Sequence, residues 1–196
     1  MQPSTIAPKP KKPPKWWAAV TLAAGVVGAF AGLAAGASGT YDVPPFTVEL
    51  SAKPAPAGKT EFEIKPAALS PGFAEAGTHA SPLVLRATVI EVDGELLASD
   101  AAALATPSGF ADHFSQNGRA AATAFAIKSA IVALLGSLAA GAAISFGRWQ
   151  RIIGALVVGV VTVGALGAIT AVTYDKDEFK KTSYQRGSSG GLIPGG

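Results

Sequence analysis

The sequence predicts a membrane α+β protein, with three transmembrane helices and a small extracytoplasmic β-rich domain between helices 1 and 2. Three stretches lead to that expectation: Trp16 to Ser38, Ser129 to Phe146 and Ile152 to Thr173 hold no Asp, Glu, Lys or Arg over 23, 18 and 22 residues. A hydrocarbon core of roughly 30 Å takes about 20 helical residues at about 1.5 Å each, so every stretch is of crossing length. Between the first two, apolar and polar residues alternate with the period of a strand. The composition agrees: 49% hydrophobic residues, 15% charged residues and a mean hydropathy of +0.36 leave few places for polar chemistry.

Charge assigns the sides. Residues 1–15, a basic cytoplasmic tail, carry Lys9, Lys11, Lys12 and Lys15 and no acid, and the turn 147–151 carries Arg148 and Arg151. Short basic flanks stay in the cytoplasm, and these two lie two spans apart, so they agree. A multi-pass plasma-membrane protein follows, its N-terminus cytoplasmic and its C-terminus extracytoplasmic. Trp16, Trp17 and Trp149 fall at the inner interface and Tyr41 and Tyr174 at the outer one, where amphipathic rings belong. Residues 40–120 hold ten acids against five bases, which speaks against nucleic acid as a partner. The partner implied directly is the lipid bilayer.

The first span, 16–38, ends in Ala35-Gly36-Ala37, a sequence that a signal peptidase would accept. Its apolar run exceeds a signal peptide's and opens on Trp-Trp, so it reads as an uncleaved anchor. Gly28, Gly32 and Gly36 repeat every four residues and form a groove on one helix face for close packing by another helix, in the chain or in a partner.

The extracytoplasmic domain, 39–106, follows. Phe46, Val48 and Leu50 alternate with polar neighbours, residues 53–59 break the run, and Phe62 and Ile64 alternate again, which predicts a hairpin. Pro82 to Val92 reads as a longer strand closed by Asp93-Gly94, and Leu96, Leu97, Ala101 and Leu104 as a helix that Pro107 ends. A juxtamembrane helix, 107–128, leads into the second span, 129–146, with Lys128 snorkelling at its outer edge. The turn 147–151 and the third span, 152–173, come next, and a Gly-rich extracytoplasmic tail, 174–196, closes the chain.

Catalytic chemistry finds little footing. Zero cysteines exclude disulfides and thiolate metal sites. There is no Gly-x-Ser-x-Gly, no phosphate-binding glycine loop and no dinucleotide fingerprint. His79 and His113 are the only histidines, and both read as ordinary surface or core residues. The acid pairs Glu61/Glu63 and Asp175/Asp177 each share a strand face and read as solvated charge.

The order of parts, together with Thr78-His79-Ala80-Ser81-Pro82-Leu83, the strand end Ile90-Glu91-Val92-Asp93 and the exit Tyr174-Asp175, resembles one family. It is similar to the N-terminal membrane region of actinobacterial membrane-anchored metallophosphoesterases of the calcineurin-like superfamily, up to about Gln185. The resemblance implies a catalytic domain after the third span, with two metals held by Asp-x-His, Gly-Asp-x-x-Asp and Gly-Asn-His motifs. None of these occurs in the sequence. The expectation is therefore a membrane anchor and membrane-proximal region without its hydrolytic domain, truncated or frameshifted, not an enzyme as it stands and with no cofactor. The alternative is a complete three-span accessory subunit that binds a membrane complex through its outer domain and its glycine-rich helix face.

Overall fold

The computed structural model describes residues 16–65, 72–99, 107–175, 178 and 185–186, with the backbone alone for 107–117 and 185–186. In chain order the elements are α1 (Trp16–Gly36), β1 (Ser38–Val43), β2 (Phe46–Pro54), β3 (Lys59–Ile64), β4 (Gly72–Ala76), β5 (Leu83–Val92), α2 (Gly94–Ser99), α3 (Pro107–Ser145), α4 (Trp149–Thr173) and β6 (Gln185–Arg186). Three helices are long and apolar enough to cross a membrane: α1, the Gly118–Ser145 part of α3, and α4. Their outward faces carry large bare apolar side chains such as Val27, Ile131 and Val161. Water disfavours such a surface and hydrocarbon accepts it.

The strands form one sheet in the order β1-β2-β5-β3-β4-β6, five of them lying between α1 and α3 in sequence. The hairpin expected from Phe46–Leu50 and Phe62–Ile64 does not form. β2 and β3 both pair with β5, antiparallel and parallel respectively, so β5 lies between them. The reason is length and composition: ten residues rich in Val, Leu and Ile have ladder partners on both edges only at the sheet's centre. The partner that β2 does take in a hairpin is β1, across Pro44-Pro45. β1 begins at Ser38, so α1 turns into the sheet within the stretch expected to finish the first span.

Period-2 alternation gives the sheet two faces. Val43, Val48, Val89, Phe62 and Ile64 cluster with Ala121 of α3, while Ala52 and Leu83 cluster with Leu33, Ala133 and Leu166 of the helices. The sheet therefore lies with its apolar face on one end of the helix bundle. Its other face carries Glu49, Ser51, Lys53, Glu63, Lys65, Arg86 and Thr88 around a shallow groove of about 230 Å³.

No break separates the juxtamembrane stretch 107–128 from the second span, because one helix, α3, runs from Pro107 to Ser145, and Phe146 already belongs to the turn. Pro107 opens that helix, in the first turn where its missing N–H leaves no bond unmade. Asp93 caps α2, its Oδ1 accepting from the N–H groups of Glu95 at 2.9 Å and Leu96 at 3.0 Å. The remainder of the helix expected as far as Leu104 lies outside the described residues. At the other end of the bundle, Phe146 and Gly147 turn through positive φ, and Arg151 closes the turn by donating Nη1 to the carbonyl of Ile144 at 3.2 Å.

Candidate functional site

The three helices meet around Ser137 of α3, which is fully buried. Its Oγ lies 2.9 Å from the carbonyl oxygen of Gly25 and 3.1 Å from that of Ala133, so its one hydroxyl proton is shared between α1 and its own helix. Glycine makes that approach feasible. A Cβ on Gly28 would lie 2.5 Å from the Gly136 carbonyl oxygen, and one on Gly25 2.7 Å from that of Ala155. A Cβ on Gly32 would strike the Val132 carbonyl, and one on Gly36 would be 3.1 Å from the Val132 side chain. Gly28, Gly32 and Gly36 thus all face α3. Backbone against backbone is the packing that membrane helices use when lipid supplies no hydrophobic drive. Ser137 itself was missed in the sequence, although a hydroxyl beside Gly136 at the middle of an apolar span, away from the Ser129 and Ser145 ends, is the signal that could have marked it.

The sheet is fastened to all three helices. Ala37 is the one residue between α1 and β1, and its carbonyl accepts from the Ala52 N–H at 2.8 Å. Lys128 reaches up from α3 and donates Nζ to the Ser38 carbonyl, so the snorkelling expected of it ends on the backbone of β1. Tyr41 and Phe125 stack edge to face at 6.3 Å.

The hexapeptide Thr78–Leu83 makes the join to α4. The Asp175 N–H donates to the Thr78 carbonyl at 2.7 Å and the Ala80 N–H to Thr173 Oγ1 at 2.9 Å, while Thr170 Oγ1 lies 2.8 Å from Ser81 Oγ. Ser81 Oγ in turn lies 2.8 Å from His79 Nδ1. Thr78, His79 and Ser81 are all buried, and a Cβ on Gly58 would collide with the His79 carbonyl. His79 is therefore a fixed core residue of the join, its Nε2 buried without a hydrogen-bond partner among the described residues. A serine beside a histidine also suggests nucleophilic catalysis. Yet Ser81 is fully buried, and the third group, Thr170, bonds the serine and not the histidine, so no carboxylate or amide among the described residues orients the imidazole as a base.

One acid of a pair expected to be solvated is not. Glu61 is only 5% exposed because Lys59 Nζ sits 2.9 Å from its Oε1 and Arg86 Nε 2.6 Å from its Oε2, with Arg86 Nη2 also in contact. The register explains it: Arg86 on β5 and Glu75 on β4 stand directly opposite Glu61, and Lys59 spans Glu61 and Glu75. Burial alone would raise the Glu61 carboxyl, but the hydrogen bonds and charges of Lys59 and Arg86 outweigh it and hold the carboxyl below its ordinary range. Those same bonds, to Glu61 first and then to Glu75, raise Lys59. Glu63 accepts a long bond from Thr88, at 3.4 Å.

At the turn end, the Arg151 guanidinium lies 3.5 Å over the Trp17 ring, which locks α4 to the start of α1. Arg148 is exposed. Lys9, Lys11, Lys12, Lys15 and Asp177, and the side chains of Asp112 and His113, lie outside the described residues. Among the described residues no three His, Asp or Glu side chains gather as a metal-holding group. No protein-family model, no curated protein and no solved structure matches the chain. None of these comparisons links the chain to metallophosphoesterases.

Proposed function

We propose that the chain is a membrane-anchoring, membrane-proximal module that holds a β-sheet at fixed height and orientation on the extracytoplasmic surface, and that the protein class it serves is metallophosphoesterase-like. One observation carries the anchoring: the sheet is hydrogen-bonded to every helix of the bundle, through Ala37, Lys128 and the Thr78–Leu83 hexapeptide. A domain that only needed tethering would hang on one flexible span. The finer association rests on the position of that hexapeptide, which the order of parts places where the family's anchors have theirs.

Two measurements test this. The protein should stay in the membrane pellet after alkaline carbonate extraction, and the purified chain should not hydrolyse an aryl phosphate with manganese present. Release by carbonate would remove the anchor reading. Turnover that follows the protein through purification and is lost in His79→Ala would make the chain an enzyme in its own right.

The open polar face of the sheet favours a second reading, an accessory subunit of a membrane complex. Because the glycine face of α1 is filled by α3, a partner would meet the sheet, at the groove lined by Glu49, Lys53, Lys65 and Arg86. A photocrosslinker at Ser51 that captures one defined membrane protein would decide for it.

A further inference from the structure

Beneath the sheet, residues of α3 and α4 border a slot of about 530 Å³, within the roughly 300–1,000 Å³ range of small-molecule pockets. Phe125 and Ala126 form one wall, Val163 and Leu166 the other, and Leu83 and Leu85 of β5 close the top. We propose that this slot takes one acyl chain of a membrane phospholipid from the leaflet on the sheet side. The proposal rests on reading the three helices as spans.

Its dimensions argue for a lipid tail. Along α4 the lining runs from Val163 to Tyr174, about 16 Å at 1.5 Å per residue, which is half of a hydrocarbon core of roughly 30 Å. Counted from Arg151 at the turn end, Val163 stands about 18 Å in and Thr170 about 28 Å, so the slot reaches from the middle of the bilayer to its sheet-side boundary. Polarity follows the same axis. The deep residues Val163 and Leu166 are aliphatic, while Thr170 and Tyr174 stand at the mouth. Ser129 also lines the slot, with its Oγ buried and without a partner among the described residues. A hydroxyl in that position donates to the ester carbonyl of a glycerolipid whose tail lies below it.

The roof excludes the main rival. A helix from a partner or a second copy would continue past the boundary and run into Leu83 and Leu85, whereas an acyl chain lying under them ends at the boundary, its glycerol and headgroup leaving sideways past Thr170 and Tyr174.

The full chain would be purified in a mild detergent and its bound phospholipid counted by native mass spectrometry. About one phospholipid per chain should persist, and Ala126→Trp, which fills the slot, should lower occupancy at least about tenfold. Val161→Trp, on the bare outer face of α4, should not. Ala171→Phe serves as a second filling variant if Ala126→Trp fails to fold. In nanodiscs, a phospholipid with a photoreactive group at the tail end should label Val163 or Leu166 above Val157 and Val161. Even labelling of both faces, or crosslinks at Val163 to a second copy, would overturn the proposal. Carbonate extraction of the same sample reports separately on the spans: a chain that stays in the pellet but retains no phospholipid loses the lipid site alone.

Discussion

Glu61 occupies a position where sequence and surroundings give opposite answers. On the strand it shares a face with Glu63, and that much is readable from spacing two. Its burial depends on Arg86 and Lys59 closing over it, and Arg86 comes from a strand 25 residues away whose register no local pattern states. The consequence is a pH dependence with a definite sign. The folded carboxyl titrates below its unfolded value of 4.5, so the folded chain binds fewer protons in that interval and stability rises with pH across it. The contribution is complete above 4.5 and disappears as pH falls through the lower folded value. Glu61→Gln should cost about 1–2 kcal/mol at neutral pH, discounted for half-exposed cations. The gap between wild type and variant, measured by denaturant unfolding of the outer domain, should close in acid. An unchanged gap at pH 3 would show that the ion pairs are not its source.

At the scale of elements, helices and sheet were unequally legible. Each long helix announces itself within its own residues, because length without charge is a one-dimensional signal. Pairing is a two-dimensional one: β5 enters between β2 and β3 from further along the chain, and nothing within residues 46–65 records it. The glycine spacing on α1 was visible, but the identity of the facing helix was not, and Gly25 and Ser137 emerged only with the packing. Gly32→Leu forces a side chain into the Val132 carbonyl and should destabilise the bundle by about 3 kcal/mol. Leu22→Ala, at a side chain 58% exposed, should change it far less. Thermal unfolding in detergent separates the two, and equal tolerance would mean that the ridge is only composition. Leu33 would be a poor control, since it is buried against Leu166.

For the whole molecule, the basic flanks predict that the Arg148 turn and the sheet lie on opposite sides of the membrane, and the helix directions are consistent with that separation. In whole cells an impermeant maleimide should therefore label Ser51→Cys and spare Gln150→Cys. The reverse pattern would invert the protein. The join at Thr78–Leu83 was visible in the sequence as a motif, but not as a join, because its partners Thr170, Thr173 and Asp175 are some ninety residues away.

The single residue between α1 and β1 makes helix and strand one lever. Helices adjust to a thicker or thinner bilayer by tilting. With Ala37 hydrogen-bonded to Ala52, and the sheet bonded to α3 and α4 as well, α1 cannot tilt alone, so bundle and sheet must tilt as one body. If the three helices span a bilayer, a change in its thickness would therefore alter the attitude of the sheet and of the bundle by the same angle. Spin labels on Ser51 and on the bilayer-facing Val27 would read that motion as a distance that holds constant while the angle of both to the membrane normal changes.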